Sequence, residues 1–176
     1  MNNQIIEQVK EFYEESFEKA TPEQKDFFED HVEKVVKFAK KFAEERNADL
    51  EIVEISAWLH DIASILGKYK EHHIEGAKIA EEFLKSINYP QEKIDLVKDC
   101  ILNHRGSKER NVTTKEAQIL IDADAMTHFE EIGVLRKFYK TDAEILGKFE
   151  RSYNKMSDEA KKIIKPQLDK ARKELS

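Results

Sequence analysis

Six histidines occur in 176 residues, and five of them, all but His128, flank or sit within apolar helical patterns near the ends of elements. The pair His60-Asp61 closes the most apolar of these patterns, Trp58-Leu59-His60-Asp61-Ile62. An aspartate at the inner end of a core helix is costly unless something compensates its charge, and a divalent cation would do so. Adjacent helical residues diverge by about 100°, so both side chains can still converge on one ion over the helix end. Taken singly, the pair reads as a satisfied core histidine beside a solvated carboxylate, because such dipeptides are common. His31 lies in the preceding helical pattern, at the edge of the stripe that holds Val32 and Val35. By itself it reads as a half-buried histidine on an amphipathic face.

The stretch Ala117 to Met126 is nearly all apolar except for Gln118, Asp122 and Asp124. Two positions apart, the carboxylates point about 200° apart on a helix, so one of them is expected to face the interior. Unpaired burial there would cost on the order of several kcal/mol, which asks for a cation or for hydrogen-bond donors. His72-His73 opens a helix whose Ala77 and Ala80 permit close approach of a neighbour. His104 closes another helix and is followed by a polar loop over 105–113. Histidines in such places often only cap carbonyls.

These residues must be positioned by helices, for five glycines and three prolines leave little turn punctuation and β-branched runs are scarce. The apolar stripes predict eight helices, over 3–20, 22–46, 50–63, 72–88, 90–104, 114–139, 142–153 and 157–175. Pro22 suits a first helical position behind Thr21, and Gly67 suits a helix end. Breaks are expected near Gly133 and a bend at Pro166. No repeat is evident, and no linker is long enough to divide the chain.

Composition narrows the function classes. With 40% apolar and 38% charged residues the chain is too apolar for disorder and too charged for a membrane interior. The longest apolar runs are a few residues, and no signal peptide is expected. A net charge of −6 argues against a surface that coats nucleic acid, since the lysines alternate with glutamates at ion-pair spacing. The single cysteine, Cys100, cannot form an internal disulfide. Flanked by Ile101 and Leu102, it suits the core of a cytoplasmic protein.

The order His31, His60-Asp61, Asp124 resembles the H…HD…D pattern of the HD-domain superfamily of metal-dependent phosphohydrolases. Ala57-Trp58-Leu59-His60-Asp61-Ile62 is similar to its apolar-L-H-D-I signature, and His72-His73-Ile74-Glu75-Gly76-Ala77 to its H-x-x-x-G-A element. Asn103-His104-Arg105 resembles a histidine that recurs after the following helix. Asp122-Ala123-Asp124-Ala125-Met126 resembles the segment that supplies the last carboxylate. The resemblance runs from about Asp30 to Phe129. It implies an all-α, single-domain bundle of about seven to eight helices over 1–176, with helices of 130–176 packed on a motif core of about 30–129. The family register selects Asp124 over Asp122 and His72 over His73. Two positions depart from the family: Ala63 stands where many members have glycine, and Ala125 where a basic residue is frequent.

The resemblance implies a metal set of His31, His60, Asp61 and Asp124, with Asp61 also orienting the attacking water. Histidines matching His72 and His104 hold a second ion in members with two metals, and here they are expected either to do that or to contact the phosphate as hydrogen-bond donors, with Asp61, His72 and His104 as the catalytic candidates. Two imidazoles and two carboxylates suit a six-coordinate first-row ion, Mn, Fe, Co or Ni before Mg or Zn, and not calcium. Such an ion polarises a phosphoryl oxygen and activates water. The expected function is therefore hydrolysis of a nucleotide or other small phosphoester. Lys68 and Arg105 are candidate phosphate contacts, with ordinary loop solvation the competing reading. His128, covered by no family element, is expected to lie outside the site. No histidine has glutamate three positions before it, which counts against ferritin-like di-iron chemistry. The alternative is a non-catalytic module that binds a nucleotide or partner. The apolar face of the first helix (Phe12, Tyr13, Phe17) leaves an oligomer open.

Overall fold

Helices form wherever apolar residues recur three and four positions apart. The computed structural model describes residues 3–28, 30–105, 112–130 and 132–175, and among these there is no strand. In chain order the helices are α1 (Asn3–Glu18), α2 (Pro22–Phe28), α3 (His31–Glu45), α4 (Leu50–Leu59), α5 (Ile62–Ile65) and α6 (His72–Ser86). There follow α7 (Gln91–Asn103), α8 (Lys115–Glu130), α9 (Ile132–Phe138), α10 (Asp142–Lys155) and α11 (Asp158–Glu174). The ends carry local signals. Asp49 accepts from the N–H groups of Glu51 and Ile52 at the start of α4, and Thr141 and Glu144 form a capping box at the start of α10. At the end of α5, Gly67 takes a positive φ of 82°, and the N–H groups of Gly67 and Lys68 return to the carbonyls of Ser64 and Ala63. Glycine adopts that conformation without steric cost.

Two helices are apolar nearly all round and form the centre. Every residue of α4 from Ile52 to Leu59 is buried, and so are Ala117, Ile119 to Ala125 and Met126 of α8. Around α8 pack α3, α4, α7, α10 and α11, while α4 also meets α1. No described helix is long and apolar enough to cross a membrane. Cys100 lies in this core, where burial pushes its thiol up to about 12.

The all-helical expectation matches the structure, but two expected helices are interrupted. The helix over 22–46 divides into α2 and α3, with Asp30 at φ −113° and ψ −6° standing before His31. The helix over 50–63 divides at His60-Asp61, where Asp61 takes φ −108° and ψ 14°. Both breaks occur beside a histidine of the motif, and each separates a short helix, α2 or α5, from a longer one. Glycine marks neither break, so the sequence shows no punctuation there. Gly133 lies inside α9 and Pro166 inside α11. The helix expected over 114–139 is described on either side of residue 131.

The reading of the α8 aspartates also needs correction. Both are buried, Asp122 fully and Asp124 at 6% exposure, because α8 has neighbours on all sides. Asp122 is the structural member of the pair. Its oxygens accept from Arg46 Nη1 at 2.6 Å, the Ser157 hydroxyl at 2.6 Å, the Ser157 N–H at 2.8 Å and the Gln118 amide at 2.9 Å. Full satisfaction of this kind makes a buried charge tolerable, and removing one partner exposes the cost of the other. Asp122→Ala is expected to destabilise the chain by about 3 kcal/mol or more in urea unfolding, because among the described residues the Arg46 guanidinium then keeps only Glu159, at the surface, as an ion partner. A loss below about 1 kcal/mol would show that the pair is not a structural tie.

Candidate metal centre

Three histidines present themselves by one device. His60 is the C-cap residue of α4 and His104 that of α7. Each turns Nδ1 to the carbonyl three residues back, Ala57 at 2.7 Å and Ile101 at 2.6 Å. His72, the first residue of α6, does the same to Tyr69 at 3.1 Å. A carbonyl only accepts, so Nδ1 carries the proton and, in the neutral ring, Nε2 is an unprotonated lone pair. The helix-end histidines therefore cap carbonyls and offer a ligand atom at once.

All of these lone pairs meet the Asp61 carboxylate. Its Oδ2 lies 3.3 Å from His60 Nε2 and 3.6 Å from His31 Nε2. Its Oδ1 lies 3.6 Å from His72 Nε2 and 3.9 Å from His104 Nε2. Asp124 Oδ1 closes the first group at 3.5 Å from His31. Mutual separations place the donor atoms in two sets that could each hold an ion, His31, His60 and Asp124 in one and Asp61, His72 and His104 in the other. Ligands about 2.0–2.2 Å from one ion stand at comparable separations. The donor chemistry fits a cation too. His60 Nε2 is buried with no hydrogen-bond partner among the described residues, and the Nε2 atoms of His72 and His104 face each other at 3.2 Å. Two lone pairs that close repel unless a positive charge or a proton comes between them.

The sequence matches the HD domain over residues 28–128, more than half of the chain and inclusive of every residue just described. The chain belongs to the HD-domain family. It is 35% identical over 80 residues to an uncharacterised protein of Clostridium beijerinckii, a stretch covering 44% of this chain and 48% of that protein. The chain thus aligns with about half the length of that relative. Its fold is shared with a crystal structure described as a predicted HD superfamily hydrolase from an uncultured Thermotogales bacterium. That match has a TM-score of 0.63 and 19% identity, over 94% of this chain and 86% of the other.

The HD motif residues floor a cavity of about 430 Å³, and the structure adds residues to it that the spacing did not predict. His128, expected outside, lies four residues along α8 from Asp124 with Nε2 3.6 Å from its Oδ1. It stacks on His31 with ring planes 6° apart, and its buried Nε2 has no hydrogen-bond partner. The i, i+4 spacing was the available signal. Lys155 of α10 reaches Asp124 Oδ2 at 2.6 Å and the His104 carbonyl at 3.3 Å, and Lys148 lines the same cavity. Thr127 lies 3.3 Å from His31 Nδ1. Of the two basic candidates, Arg105 lines the cavity and donates to the Lys70 carbonyl, whereas Lys68 does not. The left-handed turn at Gly67 sends Lys68 outward, where it pairs with Glu75 at 3.5 Å on the surface. His73 belongs to neither donor set, and its buried Nδ1 has no hydrogen-bond partner among the described residues. Residues 106–111 of the polar loop lie outside the described residues.

Burial and neighbouring charge pull the site's ionisations in known directions. Burial raises the Asp61 carboxyl, and positive charge on the His60, His104 and His31 rings, when they are protonated, outweighs it and draws it below the ordinary range. Asp124 is likewise lowered against the effect of burial, chiefly by Lys155 and then His128. Burial, followed by the charge of His60, lowers His104 to about 3. An imidazole lowered from 6.5 makes the unfolded chain the stronger proton binder below that pH. Its stabilising contribution is whole above about 6.5 and is lost as pH falls toward about 3. The depressed carboxyls of Asp61 and Asp124 contribute fully above about 4 and lose it below. The metal-free chain should therefore show a urea midpoint that declines from pH 7.5 to pH 5, with a shallower decline in His104→Gln. A flat profile over that window would contradict the buried neutral imidazole.

Proposed function

We propose that this HD domain is a metal-dependent phosphohydrolase acting on a small phosphoester, with nucleotides among the candidates. The observation that carries the reading is the convergence of unprotonated imidazole nitrogens on both oxygens of one carboxylate, Asp61, at the floor of an open cavity. His31, His60, Asp61 and Asp124 would hold one ion, and His72 and His104 a second, with Asp61 shared between them. The mixed nitrogen and oxygen donors favour Mn, Fe, Co or Ni. A divalent cation bound there supplies the positive charge that draws a phosphoryl oxygen and lowers the pKa of a water.

The protein's own groups supply orientation. The Nδ1 bonds to Ala57, Tyr69 and Ile101 fix three rings so that Nε2 faces inward. Lys155 occupies Asp124 Oδ2 and leaves Oδ1 turned to His31. The Asp61 carboxylate would accept a hydrogen bond from a water and aim it. Arg105 at the rim offers N–H donors to a phosphate. We read residues 1–176 as one domain, since α10 and α11, beyond the matched segment, pack on α8 and deliver Lys155 to the site.

Elemental analysis of purified protein is expected to find a bound first-row metal. With Mn²⁺, hydrolysis of p-nitrophenyl phosphate or of a nucleotide in a substrate panel should be measurable and should vanish on chelation. Asp61→Ala should cut the rate by on the order of a thousandfold and remove bound metal, while the surface variant Lys165→Ala leaves both intact. His128→Gln should weaken metal affinity by about tenfold. Metal-loaded wild type inactive on every phosphoester tried would move the reading to a binding module.

A further inference from the structure

Lys148 is the cation of the cavity whose role the metal centre does not explain. It sits on the same face of α10 as Lys155, seven residues earlier, so about 10 Å separates the two along the helix. Lys155 is engaged by Asp124 and the His104 carbonyl. Lys148 lines the cavity half-buried and has no ion pair or hydrogen bond to any described residue. Its surroundings make that costly. Burial lowers its ammonium below the ordinary lysine value, and Lys155 and Arg151 act in the same sense against the attraction of Asp124 and Asp61. His128, which Lys148 also faces, is an imidazole and supplies no negative charge. Glu23 is the remaining carboxylate on the cavity wall, and it too makes no ion pair with Lys148. A lysine whose only structural task was packing would extend its head to water. This one keeps its head in a cavity whose other wall, Phe27, Phe28 and Phe138, is aromatic and offers it no charge.

The inference rests on the phosphohydrolase reading and adds a substrate class to it. We propose that Lys148 binds a second anionic group of the substrate, a phosphate beyond the one seated over Asp61. The substrate is then a di- or triphosphate ester in preference to a monophosphate. A phosphoryl group seated over Asp61 and His72 lies next to the motif residues, and Lys148 stands two turns of α10, about 10 Å along the helix, from the Lys155 that Asp124 already holds. A second phosphate joined to the first reaches Lys148 and gives the ammonium the charge-assisted hydrogen bonds it lacks. Arg105, on the loop after α7, lines the same cavity.

The test compares two probes on the Mn²⁺-loaded 176-residue chain by calorimetric titration, with free Mn²⁺ matched in syringe and cell. The probes are inorganic phosphate and methylenebisphosphonate, which carries two phosphonates and is not hydrolysed. Wild type is expected to bind the bisphosphonate more tightly than phosphate. Lys148→Met should weaken the bisphosphonate by about tenfold or more and phosphate by less than about threefold, with Lys148→Arg close to wild type. A merely structural lysine would behave differently in a second measurement. Without any anion, Lys148→Met should melt at or above the wild-type temperature, because an unpaired, partly desolvated charge has been removed, and it should lose most of the bisphosphonate-induced shift. Equal weakening of both probes, no weakening of either, or a wild type indifferent to the second phosphonate each overturns the proposal. None of those outcomes touches metal binding or Mn²⁺-dependent turnover, on which the broader phosphohydrolase reading stands. A wild type that fails to bind metal ends both.

Discussion

Four imidazoles stand around the Asp61 carboxylate with their Nε2 atoms within 4 Å of it, and three of them have spent their ring proton on a carbonyl. The neutral rings have lone pairs and no hydrogen to give, so the carboxylate and its neighbours cannot satisfy one another. Water or protein donors could relieve this only by entering the cluster. A cation relieves it outright, because every atom facing the centre is a donor of electrons. The rest of the structure can be read as the means of keeping five such groups, from four helices and a break, in one place. The break at His60-Asp61 matters most. A continuous helix would hold the two side chains about 100° apart, whereas the departure at Asp61 lets its carboxylate swing beneath α4 to meet His31 of α3, His72 of α6 and His104 at the end of α7.

The second constraint is the placement of α8, and it is met by its other aspartate. Asp124 faces the cavity and Asp122 the opposite side, toward Arg46 at the C-terminal end of α3. The junction between α10 and α11 straddles the helix. Lys155, the last residue of α10, holds Asp124, and Ser157, the cap of α11, holds Asp122 with both its hydroxyl and its N–H. Gln118 also donates to the Lys155 carbonyl. One short segment thus fixes the rotation of α8 about its own axis, which decides whether Asp124 Oδ1 meets His31. Stability and site geometry meet in these few polar contacts, in a core otherwise built mainly from aliphatic and aromatic packing.

Much of this was legible in the sequence, for separable reasons. Period-3.6 stripes located the helices because burial is what selects those positions. The motif histidines were conspicuous because imidazoles beside aspartates are out of place in apolar patterns. What spacing could not show was direction. Asp30 and Asp61 leave the helical path without glycine or proline, so two helices were predicted too long. The two α8 aspartates were read as one buried and one exposed, and that rule fails for a helix covered on every side. His128 carried a signal, four residues after Asp124, but a histidine outside the family elements gave no reason to look. Lys148 and Lys155 belong to an amphipathic helix rich in charge, where any two lysines seven apart resemble a solvated face. Only the packing of α10 across the cavity separates them from the rest. Lys68 shows the converse, for closeness to the motif in sequence did not survive the turn at Gly67.

The position after Asp124 joins these points. Family members frequently carry a basic residue there, and this chain has Ala125, which is fully buried. No long cationic side chain could occupy that position without displacing the core around α8. The positive charge over Asp124 comes instead from α10, outside the segment the family match spans. Supplying it from a separate helix has a physical consequence. A lysine fixed to α8 would move only with the aspartate it accompanies, whereas Lys155 and Lys148 are held to the centre by the packing of α10 on α8 and by the Ser157 tie. The electrostatics of the cavity are therefore coupled to how the C-terminal helices sit, and a change far from the motif, at Arg46 or Ser157, alters the charge that Asp124 meets.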